Sequence, residues 1–146
     1  MILKKFRVTE KVIDKAISEI LAIINSPNAM ILIEGDLASG KTTFVKHFVK
    51  YLDIHDDVTS PTFSLQHIYG SNIYHYDLYQ RGLNDFLALG LLESLSESGY
   101  HLIEWANLDF AKILKMYGFN FYHLKIYREN NEDCARIYQV SDQWQH

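Results

Sequence analysis

A chain of 146 residues is long enough for one hydrophobic core and short for two. Apolar residues make up 48% and charged residues 22%, as in a globular domain. No run nears the ~18 apolar residues of a membrane span. The formal net charge of −4, the absence of a basic block and the single Cys134 argue against an autonomous grip on nucleic acid, an internal disulfide and a cysteine-rich zinc site.

Met1 to Phe6 lacks the order of a signal peptide, so a cytoplasmic location is expected. Thr9 is placed to cap a first helix, with Val12, Ile13, Ala16, Ile17, Ile20 and Leu21 on its buried face. Ser26-Pro27-Asn28 ends that segment. Met30-Ile31-Leu32-Ile33 then reads as a buried parallel strand.

Gly35 to Thr42 follows at once: Gly35, Asp36, Leu37, Ala38, Ser39, Gly40, Lys41, Thr42. It fits G-x-x-x-x-G-K-[ST], the P-loop. Backbone N–H groups can surround a triphosphate only where side chains stay clear, and the helix that opens behind the loop adds its positive end. Lys41 would reach the β- and γ-phosphates, and the Thr42 hydroxyl would ligate Mg²⁺. Phe44, Val45, Phe48, Val49 and Leu52 recur at helical spacing behind it.

After the acidic loop from Asp53 to Asp57, residues 62 to 69 and Ile73 to Asp77 alternate around Gly70-Ser71-Asn72, which predicts a β-hairpin. Asn84 is placed to cap a helix through Leu95. Tyr100 to Ile103 reads as a short buried strand, and Asn107 to Met116 as a helix. Phe119 to Arg128 and Cys134 to Val140 flank an acidic turn as a second hairpin, with Cys134 expected to be a small buried hydrophobe. The expected fold is a single α/β P-loop NTPase domain over residues 1–146, with a mixed, partly parallel sheet, flanking helices and two β-hairpins.

Hydrolysis also needs a metal-linked acid, usually at the end of a strand beside the P-loop strand. Glu104 and Asp77 both stand at such ends. Thr59-Ser60-Pro61-Thr62 reads either as a switch sensing phosphate or metal, or as a plain strand-initiating turn. His75 and His101 read as sheet histidines, Tyr74 and Tyr76 as sheet residues rather than base-stacking platforms. Seven histidines without metal-ligand spacing make no case for zinc. The residues alone leave two other classes in view. One is a small P-loop kinase acting on a nucleoside or small metabolite, disfavoured because there are only four arginines, Arg7, Arg81, Arg128 and Arg136. The other is a GTP-dependent switch, whose N-K-x-D sequence is absent.

Four motifs in order resemble one family. Gly35 to Thr43 looks like G-D-L-x-x-G-K-T-T, Ser60-Pro61-Thr62-Phe63 like S-P-T-[FY], His75 to Tyr79 like H-x-D-L-Y, and Ile103-Glu104-Trp105 like I-E-W. That family is the bacterial TsaE (formerly YjeE) ATPase of tRNA threonylcarbamoyladenosine modification. The resemblance implies that ATP and Mg²⁺ are held by Gly35 to Thr43, with Thr42, Glu104 and Asp77 at the metal and Lys41, Glu104 and Asp77 in catalysis. It places Trp105 close to the nucleotide, Thr9 and Glu10 near the adenine, and Arg136 as a late nucleotide-contacting arginine. It also implies TsaD and TsaB as partners, with ATP hydrolysis supporting repeated turnover. Two residues depart from the family: Ala38 stands where Gly is usual, and Gln80 where Arg is usual, with Arg81 one residue late.

Overall fold

The computed structural model describes residues 1–36, 38–56, 65–79, 82–130 and 134–145. The proposed switch around Ser60, the departure at Gln80 and Arg81, and Leu37 of the loop lie outside the described residues.

The strands are β1 (Ile2–Val8), β2 (Ala29–Glu34), β3 (Gln66–Tyr69), β4 (Ile73–Asp77), β5 (Tyr100–Glu104), β6 (Tyr122–Arg128) and β7 (Arg136–Ser141). They form one sheet in the order β1-β7-β6-β2-β5-β4-β3. Strand β2 runs parallel to β5 and β6, and β5 parallel to β4. The β3–β4, β6–β7 and β1–β7 pairs are antiparallel. The mixed sheet and both expected hairpins are therefore present. The apolar run of β2 is long enough to be covered on both faces, and Ile31, Leu32 and Ile33 are buried.

Helices α1 (Ile13–Ile24) and α2 (Lys41–Tyr51) cover one face, where Ile17, Ile20, Phe44 and Phe48 pack on Ile31, Ile33, Leu102 and Leu124. Helices α3 (Leu83–Ala88), α4 (Leu91–Ser94) and α5 (Leu108–Met116) follow on the other, where Phe86, Phe110 and Leu114 meet Leu32, Tyr76 and Ile103. Among the described residues no helix is long and apolar enough to cross a membrane.

Local expectations change at four places. The Thr9 side chain caps nothing: a 3-10 turn, Glu10–Val12, intervenes, and the Thr9 carbonyl accepts from Val12 N at 3.0 Å. Val12 is 41% exposed and leaves the buried face, because the tighter turn rotates it away from the α-helical stripe. The expected helix from Asn84 to Leu95 is two helices: Gly82 precedes the first, and Gly90 at φ +71° breaks the run. Cys134 is exposed rather than buried, because β7 begins only at Arg136. Asn107 does cap its helix, its side chain accepting from Phe110 N at 2.9 Å.

Candidate phosphate-loop site

The parallel strands bring their C-terminal ends to one rim. Register pairs Ile33 with Glu104 and Asp77 with Glu104, so the two strand-end carboxylates are neighbours across from the start of α2. Between β2 and α2 the glycine loop turns back over the sheet. A Cβ on Gly35 would lie 2.7 Å from the carbonyl oxygen of Ile126 and 2.4 Å from Ser39 Oγ, so the loop passes β6 too closely for any side chain. Gly40 precedes the helix at φ +108°, a conformation that L side chains rarely adopt.

Ala38 also has positive φ, +59°. The departure from Gly therefore falls at a left-handed position, where an L residue is strained by about 1 kcal/mol. Ala38→Gly should raise stability by only a few tenths of a kcal/mol, since glycine's extra loss of chain entropy, about 0.4–1 kcal/mol, offsets most of the relieved strain. Thermal denaturation reads this as a rise in Tm; an unchanged or lower Tm would mean that the strain is already absorbed by the loop.

Lys41 is only 4% exposed. Its Nζ donates to the carbonyls of Gly35 at 2.6 Å and Asp36 at 2.8 Å, and sits 4.0 Å from the centre of the Trp105 ring. Burial pulls its pKa down, while Glu104, Asp77 and Asp36 push it back up. Trp105 itself has φ +62°, in the left-handed region, and its ring also meets Tyr79 at 4.7 Å. A strained non-glycine residue beside a buried ammonium is the kind of outlier that marks a working site.

The Thr42 hydroxyl donates to Glu104, at 3.1 Å from Oε1 and 3.3 Å from Oε2. Glu104 is 1% exposed. A hydroxyl and a carboxylate are hard oxygen donors, which suit Mg²⁺, an ion that keeps several waters and takes few protein ligands. Among the described residues no group of three or more His, Cys, Asp or Glu is placed to hold a metal ion. Asp77 is half-buried; burial raises its pKa, the Tyr79 N–H at 2.9 Å opposes this, and Glu104 adds to the rise. Ser39 is buried within the loop, and Thr43 is exposed on the outer side of α2.

Arg136 braces the loop from β7. Its Nε donates to Ser39 O at 2.9 Å and Nη2 approaches Ala38 O at 3.5 Å. The β1–β7 register pairs Val8 with Arg136, which brings the start of the Thr9–Glu10 turn to the same end of the sheet.

Two features were not read from the sequence. His75 Nε2 contacts Glu104 Oε2 at 2.5 Å, so this histidine is more than a sheet residue. The alternation of His75 and Asp77 on one face of β4 was the available signal. The second is Trp144, which does not lie in a free polar tail. It stacks on the buried His123 at 4.0 Å, and His123 in turn contacts Glu34, the residue before the loop, at 2.9 Å. Gln145 N donates to His123 Nδ1 at 3.0 Å, so Nε2 carries the proton toward Glu34.

Strand, glycine loop and helix, with a lysine and a threonine at the helix start and two carboxylates across the rim, define a glycine-loop α/β domain. The family model "Threonylcarbamoyl adenosine biosynthesis protein TsaE" matches residues 8–116, and the chain belongs to this family, which acts in tRNA threonylcarbamoyladenosine biosynthesis. It is similar to the tRNA threonylcarbamoyladenosine biosynthesis protein TsaE of Bacillus subtilis strain 168, with 38% identity over 107 residues, 71% of this chain and 67% of that protein. The TsaE protein of Treponema pallidum is 39% identical over 80 residues, 53% of this chain and 59% of that one. That of Rickettsia felis is 32% identical over 133 residues, 88% and 76% of the two chains. The match thus spans about two thirds of the first of these relatives and less of the second. A crystal structure of Bacillus subtilis YdiB covers 97% of this chain and 88% of that one, with a TM-score of 0.70 and 29% identity.

Proposed function

We propose that the chain binds Mg·ATP at the glycine loop, hydrolyses it slowly alone, and acts in tRNA threonylcarbamoyladenosine modification together with TsaD and TsaB. The observation that carries this reading is the meeting of the Thr42 hydroxyl and the Glu104 carboxylate beside Lys41. Loop N–H groups and the α2 N-terminus would surround the phosphates. Lys41 would leave the loop carbonyls for the phosphate oxygens. Thr42 and Glu104 would hold Mg²⁺, which supplies charge neutralisation on the β- and γ-phosphates when bound. Asp77 would add a second carboxylate for waters at the same rim. In the reaction a water oxygen bonds to the γ-phosphorus, the bond to the bridging β–γ oxygen breaks, and ADP, phosphate and a proton leave.

Two of the four arginines are already engaged, which fits weak activity alone. Arg7 pairs with Glu129 at 2.7 Å, and Arg136 is engaged by loop carbonyls. Among the described residues Lys41 is the cation placed for the transferred phosphoryl group, so a partner could supply or order what is missing. The net charge of −4 favours a protein partner over a direct grip on tRNA.

The test is phosphate release from ATP and GTP, and multiple-turnover tRNA modification, each with and without TsaD and TsaB. The expected outcome is slow hydrolysis preferring ATP, with stimulation of roughly tenfold or more by the partners, a small part of what a supplied cation gives elsewhere. Transfer of phosphate to a small metabolite, or partner-independent rates throughout, would overturn it.

A further inference from the structure

We propose that His75 is a positioning residue for Glu104: it fixes the carboxylate so that one oxygen stays turned toward Thr42 and the metal position. The inference rests on the Mg·ATP reading above and deepens it.

A glutamate has several rotatable bonds, so burial alone does not say where its oxygens point. Here Glu104 Oε2 is held by His75 Nε2, while Thr42 Oγ1 lies between the two oxygens, 3.1 Å from Oε1 and 3.3 Å from Oε2. The imidazole is itself held at its far end, with Nδ1 3.3 Å from the Tyr69 hydroxyl. Tyr69 and His75 are both 0% exposed. A neutral ring that donates from Nε2 accepts at Nδ1, so the Tyr69 hydroxyl selects the tautomer that Glu104 needs. A planar ring pinned at both ends on β4 thus orients an acid on β5 and keeps Oε1, which His75 does not touch, turned toward the helix start. Partners of this kind, behind a ligating carboxylate, typically change metal affinity or activity by ~10–100-fold when removed.

The test compares wild type with His75→Leu, which fills the space without a donor, His75→Gln, whose amide nitrogen reaches the Nε2 position, and His75→Asn, which reaches only toward Tyr69. Three quantities are measured: nucleotide affinity in EDTA, the Mg²⁺ concentration for half-maximal turnover, and kcat. For His75→Leu the Mg²⁺ requirement should rise and kcat fall, together by ~10–100-fold, with EDTA affinity within about twofold of wild type. His75→Gln should recover most of the loss and His75→Asn little. Independently of activity, nucleotide-free protein should give a slowly exchanging downfield imidazole N–H resonance that vanishes in His75→Leu and shifts in Glu104→Gln. If Leu does not fold, by circular dichroism, the Gln and Asn pair carries the comparison. Equal losses in Gln and Asn, an unchanged Mg²⁺ requirement, or no protected N–H would overturn the assignment of His75. A wild-type protein that neither binds nor hydrolyses Mg·ATP overturns the parent reading instead, and the resonance still judges the His75–Glu104 bond.

Discussion

Glu104→Gln should cut ATP turnover by ~100–1000-fold while nucleotide affinity stays within a few-fold of wild type, the size expected when a group aimed at transition-state charge is removed. The substitution keeps the shape of a side chain that is 1% exposed and keeps an oxygen for the Thr42 hydroxyl at 3.1 Å. It removes the charge that would hold Mg²⁺ on the γ-phosphate, and turns an amide N–H₂ in place of an acceptor oxygen toward His75 Nε2. Glu104 is also foremost among the carboxylates that hold up the Lys41 pKa, so the same change lowers that pKa further. Phosphate release gives kcat, and Trp105 emission during Mg·ATP titration gives affinity. Trp144→Phe is the background for the titration, since phenylalanine preserves an aromatic ring on His123. Parallel losses in affinity and kcat would mean that Glu104 supports the rim rather than the reaction.

Lys41 should show the opposite pattern. Removing its ammonium deletes a charge-assisted contact worth ~2–3 kcal/mol in a site of this kind, so ATP affinity should fall by ~30–200-fold. The choice of variant follows from burial. Lys41 is 4% exposed, with its head over Trp105 and bonded to Gly35 and Asp36. Lys41→Ala would leave a void under the indole as well as a missing charge. Lys41→Met keeps the stem and isolates the charge. We expect Met to bind ATP poorly and to melt near the wild-type temperature, because it also removes a buried ammonium whose desolvation opposes folding. Wild-type affinity in Lys41→Met, measured by calorimetry, would remove the loop from the nucleotide site.

Where the sequence carries strong local signals, it anticipates the structure well. The apolar run before Gly35, the alternation around Gly70 and the helical stretch from Asn107 to Met116 each rest on a few adjacent residues, and each element forms close to where it is expected. Gly90, at φ +71°, divides the region after Asn84 into two helices. The site was legible as a set of strand-end acids and a loop, because parallel strands deliver their ends to one side. Its connections were not. That His75 meets Glu104, that Arg136 braces Ser39, and that Trp144 reaches His123 depend on register between strands far apart in the chain. No local pattern encodes such register, since tertiary packing sets it.

The edge of the sheet has a consequence for the making of the protein. Among the described residues strand β1 pairs only with β7, and Phe6 and Val8 of β1 are buried in the core that β7 completes. The two strands lie far apart in the sequence, so during synthesis β1 waits for β7 while the elements between them are made. Until then its apolar side chains and open backbone edge have no native place to go, while the loop strand and its neighbours can assemble without it. Nascent chains are therefore most exposed to mispairing through this N-terminal strand, and the Lys4-Lys5 pair on it supplies the charge that discourages strand-to-strand association during that interval.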